Sequence, residues 1–154
     1  MKIKDFRKFH VLTVAVLVAV VACAPKDPRD QISAGTDYVL ISSSVGHSVA
    51  EATAQVYAGD VAVFFSRTSE GRERARLVTL RAGAFERLRV AALEAVGRLR
   101  GASVFDPTCG EQLHRIEVSE GRGEPSRMQT QCLSDAFGSA QAELRRLLDA
   151  EIVE

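Results

Sequence analysis

The sequence predicts an α+β domain: a mostly antiparallel β-sheet with two amphipathic helices packed on one face, in the order β-β-β-α-β-β-α. Three observations carry this expectation. Gly59-Asp60 separates two β-rich runs, Ala52 to Ala58 and Val61 to Arg67, and such a pair tolerates the positive φ that hairpin turns need. At Ala84 the apolar period changes from two to about 3.6, the spacing of a helix face. Alternation then returns around Ile116 and Val118 before a final helical stretch.

Taken in order, Tyr38 to Ser42 is the first strand and the Gly59-Asp60 hairpin supplies the next two. The segment Thr68 to Arg76, TSEGRERAR, reads as a polar loop, and Leu77 to Leu80 extends the third strand. Phe85, Leu88, Ala92, Val96 and Leu99 share one side of a helix that ends near Gly101, while Glu86, Glu94, Arg98 and Arg100 lie mainly elsewhere. Ile116 and Val118 alternate with Arg115 and Glu117, and Met128 to Cys132 returns antiparallel across a loop containing Gly and Pro. The last helix carries Phe137, Ala140, Leu144, Leu147 and Leu148 on one face, with either Ser134 or Ser139 as its cap. Each helix has a single apolar stripe, so each needs one sheet face to cover.

A chain of 154 residues with 46% apolar and 26% charged side chains has room for one globular domain. Its formal net charge of zero is unevenly divided. Residues 1 to 22 hold Lys2, Lys4, Arg7 and Lys8 against Asp5, and the remainder is mildly acidic. Without a basic stripe there is no electrostatic reason to bind nucleic acid, whose affinity rests largely on neutralised phosphates.

The first 22 residues have the layout of an export signal: a basic start, an apolar run from Val11 to Ala22, and a small residue before a cut. A helix of that run reaches about 18 Å, short of the roughly 30 Å hydrocarbon core a stable span must cross. The run ends in Val20-Val21-Ala22-Cys23, which resembles the lipobox of bacterial lipoprotein precursors. That resemblance implies diacylglyceryl transfer to Cys23, cleavage after Ala22, and acylation of the new amino terminus. Several acyl chains supply the multiple signals that stable anchoring needs. The expected partner is therefore the lipid bilayer, through acyl chains on Cys23. Ala24 after the cysteine, rather than an aspartate, implies delivery to the outer membrane, facing the periplasm, if the source has two membranes. Residues 23 to 36 hold Pro25, Pro28, Gly35 and several charges without apolar periodicity, which reads as a flexible tether. The domain proper is residues 37 to 154.

With Cys23 consumed by lipid, Cys109 and Cys132 remain as an even pair flanking the second hairpin, in a compartment where disulfides persist. With the hairpin centred near residue 120 they face one another, where opposed Cα atoms lie about 4.5 to 5.5 Å apart and suit a disulfide. A redox pair usually comes as Cys-x-x-Cys, and two thiolates without nearby histidines make a poor zinc site.

Candidates for catalysis are few. His10 leaves with the signal, so His47 and His114 are the histidines of the mature chain. His47 near Ser42, Ser43, Ser44, Ser48 and Glu51 sketches a nucleophile and base, the alternative of a hydrolase. There is no Gly-x-Ser-x-Gly elbow, and a serine-rich segment after a strand is more often a turn. His114 alternates in phase with Ile116 and reads as a partly buried strand residue. Asp106, Glu111, Glu117, Glu120 and Glu124 gather around the second hairpin and read as a solvated face. No phosphate loop, His-Glu-x-x-His pair or EF-hand loop is present in the sequence, so no metal or cofactor is expected.

Val39 to Gly46, the hairpin about Gly59, the helix about Leu88, Leu113 to Val118 and Ala142-Glu143-Leu144-Arg145-Arg146-Leu147-Leu148 fall in an order similar to the small emfourin-like inhibitors of thermolysin-class metalloproteases. The resemblance is of layout, and Ser43-Ser44-Val45 stands where those domains have a Gly-rich turn. It implies the same strand and helix order and, as an alternative function, a protease-inhibitor-like module. No site residue carries over. The expected function is a non-enzymatic, membrane-anchored envelope lipoprotein of binding or structural role, with an unknown protein partner.

Overall fold

The structure, a computed structural model, describes residues 36–45, 50–100, 112–121, 123–131 and 133–153. These form six strands and two helices in chain order: β1 Tyr38–Val45, β2 Ala50–Tyr57, β3 Val61–Arg67, β4 Glu73–Thr79, α1 Ala84–Arg100, β5 Gln112–Ser119, β6 Ser126–Thr130 and α2 Asp135–Glu151. All strands join one antiparallel sheet in the spatial order β4-β3-β2-β1-β5-β6. The α+β class expected from the sequence is the class observed.

Strand alternation sorts the side chains into two layers. Val39 and Ile41 on β1, Ala54 and Val56 on β2, Ala62 on β3, and Ile116 and Val118 on β5 are buried against the helices. From the other side come Leu88, Ala92, Val96 and Leu99 of α1 and Phe137, Ala140, Leu144 and Leu148 of α2. The 3.6-residue stripes read from the sequence therefore point into one core. The helices pack on each other, with α1 over β1, β5 and β6, and α2 against β1.

Two expectations need correction. The polar segment Thr68 to Arg76 is not all loop, because Glu73–Thr79 is a fourth strand before the first helix. Only the stretch to Arg72 turns, closed by the Gly71 and Arg72 amides on the Thr68 backbone and side chain and by the Thr68 amide on the Arg72 carbonyl. β4 is the sheet edge, and of its side chains only Val78 packs against the core, so nearly every one is exposed and it has no alternation to reveal it. The second hairpin pairs Val118 with Ser126, which centres it at residue 122 rather than 120, so the register on which Cys109 and Cys132 were expected to oppose one another is not the one observed. Cys109 and Cys132 lie outside the described residues, as do Cys23, the signal segment and the tether to residue 35.

The helix starts are held differently. α2 is capped locally, the Phe137 amide donating to Ser134 Oγ at 3.3 Å, which decides between the two candidate serines. α1 has no Ser, Thr, Asp or Asn at its start, Arg81-Ala82-Gly83-Ala84. Its cap comes from the β2–β3 turn, where Asp60 accepts the Gly83 amide at 2.7 Å and the Phe85 amide at 2.8 Å. Asp60 sits at φ 59°, after Gly59 at φ 102°, a left-handed pair that aims the carboxylate at the helix. The chain end is pinned to the same corner: Arg87 forks onto Glu151 with two bonds of 2.7 Å, and Leu80 bridges Ile152.

Candidate functional site

The helices cover one face of the sheet and leave the other open. Register fixes what that open face presents, row by row across the strands. One row runs Arg115, Ser42, Thr53, Phe65, Ala75. Beside it lie Leu113, Ser44, Glu51, Arg67 and Glu73, and on its other side Glu117, Leu40, Gln55, Val63 and Leu77. Long side chains at Arg115, Leu113, Phe65 and Arg67 and short ones at Ser42, Ser44 and Thr53 leave a trough in the middle. Its volume is about 450 Å³, and its lining mixes Leu40, Val63, Phe65 and Leu113 with hydroxyl, amide and charged groups. That size lies within the range of small-ligand sites, about 300 to 1,000 Å³.

The charges around the trough are unequally engaged. Arg67 donates from Nε to Glu73 at 2.8 Å, stands over the Phe65 ring at 5.8 Å, and faces Glu51 across the ladder. Glu51 also accepts from the Thr53 hydroxyl at 3.1 Å. Arg115 has no such partner. Its approach to Glu117 is 3.9 Å, and Glu117 is shared with the Tyr38 hydroxyl at 2.5 Å and Arg127 at 4.0 Å. Nε of Arg115 is the one buried side-chain polar atom among the described residues that lacks a hydrogen-bond partner. Leaving such a donor unmade costs about 1 to 3 kcal/mol, and more for a charged group.

Glu117 corrects the reading of the acidic cluster as a solvated face: it is 6% exposed. Burial, helped by the Glu117 carboxylate, pushes the Tyr38 phenol up to about 12, so it stays a hydrogen-bond donor at any physiological pH. Glu120 is solvated as expected and pairs with Arg89 on α1.

The serines of the hydrolase sketch separate. Ser42 and Ser44 lie on the open face, with Ser44 donating to the Leu113 carbonyl at 3.4 Å. Ser43 points the other way, under α2, where it meets His114 Nδ1 at 3.2 Å and Gln141 at 3.3 Å. Gln141 also donates to the Ser42 carbonyl at 2.9 Å. His114 is 5% exposed, beside the Phe137 ring, and burial pulls its pKa below the usual histidine value. This group satisfies polar atoms beneath α2, with Gln112 Oε1 at 3.3 Å from the other ring nitrogen, His114 Nε2. His47 lies outside the described residues.

Sequence reasoning passed over Arg115, Thr53 and Phe65. A usable signal was present in the unbroken apolar runs Tyr38 to Ile41 and Val61 to Phe65, which signify strands with apolar side chains on both faces. Among the described residues no group of three or more His, Cys, Asp or Glu is placed to hold a metal, and no helix is long and apolar enough to cross a membrane. No protein-family model matches the sequence, and comparison with curated proteins finds none that matches.

Proposed function

We propose that this chain is a lipid-anchored, non-enzymatic binding module of the cell envelope whose working surface is the open face of its sheet. One observation carries the binding half: a trough with apolar and polar walls lies on the only sheet face that the described helices leave uncovered. Natural antiparallel sheets with a free face usually present polar side chains there. Here Val63 is 3% exposed and Leu40 and Phe65 are half-buried on that face. The anchoring half rests on Val20-Val21-Ala22-Cys23 following a basic start and a short apolar run. The non-enzymatic reading is supported by the engagement of Ser43 and His114 with each other and with Gln141 beneath α2.

The test joins both halves in one preparation. Intact mass of the membrane-extracted chain is expected to give an acylated amino terminus at Cys23, lost in Cys23→Ser. Hydroxyl-radical footprinting in intact envelopes, compared with the purified chain, is expected to protect Leu40 and Phe65 while leaving Val90 and Leu133, exposed on the helical side, equally labelled. Unmodified, freely soluble protein contradicts the anchor. Equal labelling of Phe65 in both preparations contradicts the surface.

A further inference from the structure

We infer that the trough is a site for a small amphiphilic carboxylate, with the acid group held by Arg115 and the apolar part resting toward Phe65. The inference deepens the binding role proposed above and depends on it. A guanidinium short of partners is its starting point. Arg115 lines the trough, its Nε is buried without a partner, and its ion pair with Glu117 is long and shared. Arginine presents five N–H donors in a fixed planar fork, which a carboxylate meets with two parallel bonds. A hydroxyl or amide satisfies one donor; a carboxylate also answers the charge.

Charge balance along the trough favours one anionic group at that end. The Glu51 and Arg67 end is net acidic, because Arg67 faces Glu51 across the ladder and is bonded to Glu73. At the other end Glu117 is held by Tyr38 and faces two arginines, so positive charge is in excess. A second acid on the ligand would meet Glu51. A ligand cation would meet Arg115.

The row between the two ends sets the shape. Arg115, Ser42, Thr53 and Phe65 occupy four adjacent strands, so three strand spacings, about 14 Å, separate the first and last backbones. The short Ser42 and Thr53 side chains leave the middle open. Leu40, Val63 and Leu113 flank it with apolar surface. A carboxylate on a chain of a few carbons ending in an apolar or aromatic group matches this order of surfaces.

The probe is phenylbutanoate, with phenylbutanamide as its neutral isostere, titrated calorimetrically into the purified full chain. The acid is expected to bind at least roughly tenfold more tightly than the amide, a difference of about 1.4 kcal/mol. Arg115→Met removes that preference, bringing the acid to the affinity of the amide. The same variant keeps or raises the thermal midpoint without ligand, because an unpartnered buried donor has been removed, an outcome a purely structural arginine would not give. Should Arg115→Met fail to fold, Arg115→Lys and Ser42→Leu carry the test: the first weakens the acid selectively, and the second fills the trough and weakens both probes. Equal affinity for acid and amide, no binding of the acid, or unchanged acid binding in the Arg115 variants overturns the inference. If the acid fails but Leu40 and Phe65 remain protected in envelopes, carboxylate recognition is wrong and the binding face stands. If both fail, both fall.

Discussion

Asp60→Ala is expected to destabilise the fold by about 2 to 3 kcal/mol, although the side chain lies in a turn and far in sequence from the helix it supports. Its two oxygens accept the Gly83 and Phe85 amides, so removal leaves two donors at the start of α1 without their partner. Loss of a capping side chain costs typically about 1 kcal/mol and up to about 2. A residue with Cβ but no local polar group at φ 59° adds about 1 kcal/mol more. Asp60→Asn separates the contributions, because asparagine tolerates the left-handed conformation and keeps one acceptor; it is expected to cost less than half as much. The assay is equilibrium urea unfolding of wild type and both variants. Acid provides an internal check. The amides of Phe85 and Gly83 hold the Asp60 carboxyl below its usual pKa, against a smaller opposing effect of burial. A depressed carboxyl contributes stability that is complete above its unfolded value near about 3.9 and is lost as pH falls through the lower folded value. The gap between wild type and Asp60→Asn therefore narrows below about pH 4. A change below about 0.5 kcal/mol for Asp60→Ala refutes the long-range cap, since that is the scatter of neutral surface substitutions.

Two further outcomes follow from buried groups and covalent chemistry. His114 is buried and its pKa lowered, so below its unfolded value of about 6.5 the unfolded chain takes up a proton first and stability falls with pH until the lower folded value is reached; urea unfolding between about pH 5 and 7 should show this slope, and His114→Gln should flatten it, whereas equal slopes contradict the assignment. Cys109→Ala and Cys132→Ala should each destabilise the oxidised chain by about 2 to 4 kcal/mol, with the double variant costing little more; two freely reactive thiols at these positions in a titration of oxidised chain contradict a disulfide.

What the sequence made legible was local and periodic. The apolar stripes of α1 and α2, the Gly59-Asp60 turn and the phase of His114 and Ile116 are set by spacing along the chain, and each is found where spacing places it. β4 escaped because an edge strand that packs only Val78 against the core buries almost nothing and so carries no alternation. The α1 cap escaped because its acceptor comes from Asp60, 23 residues before Gly83. The trough escaped for the same reason on a larger scale. Arg115, Ser42, Thr53 and Phe65 become neighbours only through the β5-β1-β2-β3 register, and a slip of one residue in any strand would turn its member to the other face. Glu117 was misread because burial of an acid under Tyr38 depends on that register too.

The central claim, that the open sheet face is the working surface of an envelope-anchored module, is tested most directly by site-specific photocrosslinking in intact cells. A photoreactive phenylalanine analogue at position 42 lies in the trough, and one at position 90 lies on the exposed side of α1. A discrete crosslinked species from position 42 is expected in the membrane fraction, suppressed by Thr53→Trp, which fills the trough, and absent from position 90. Crosslinks from position 90 with none from position 42, or equal yields that Thr53→Trp leaves unchanged, contradict it.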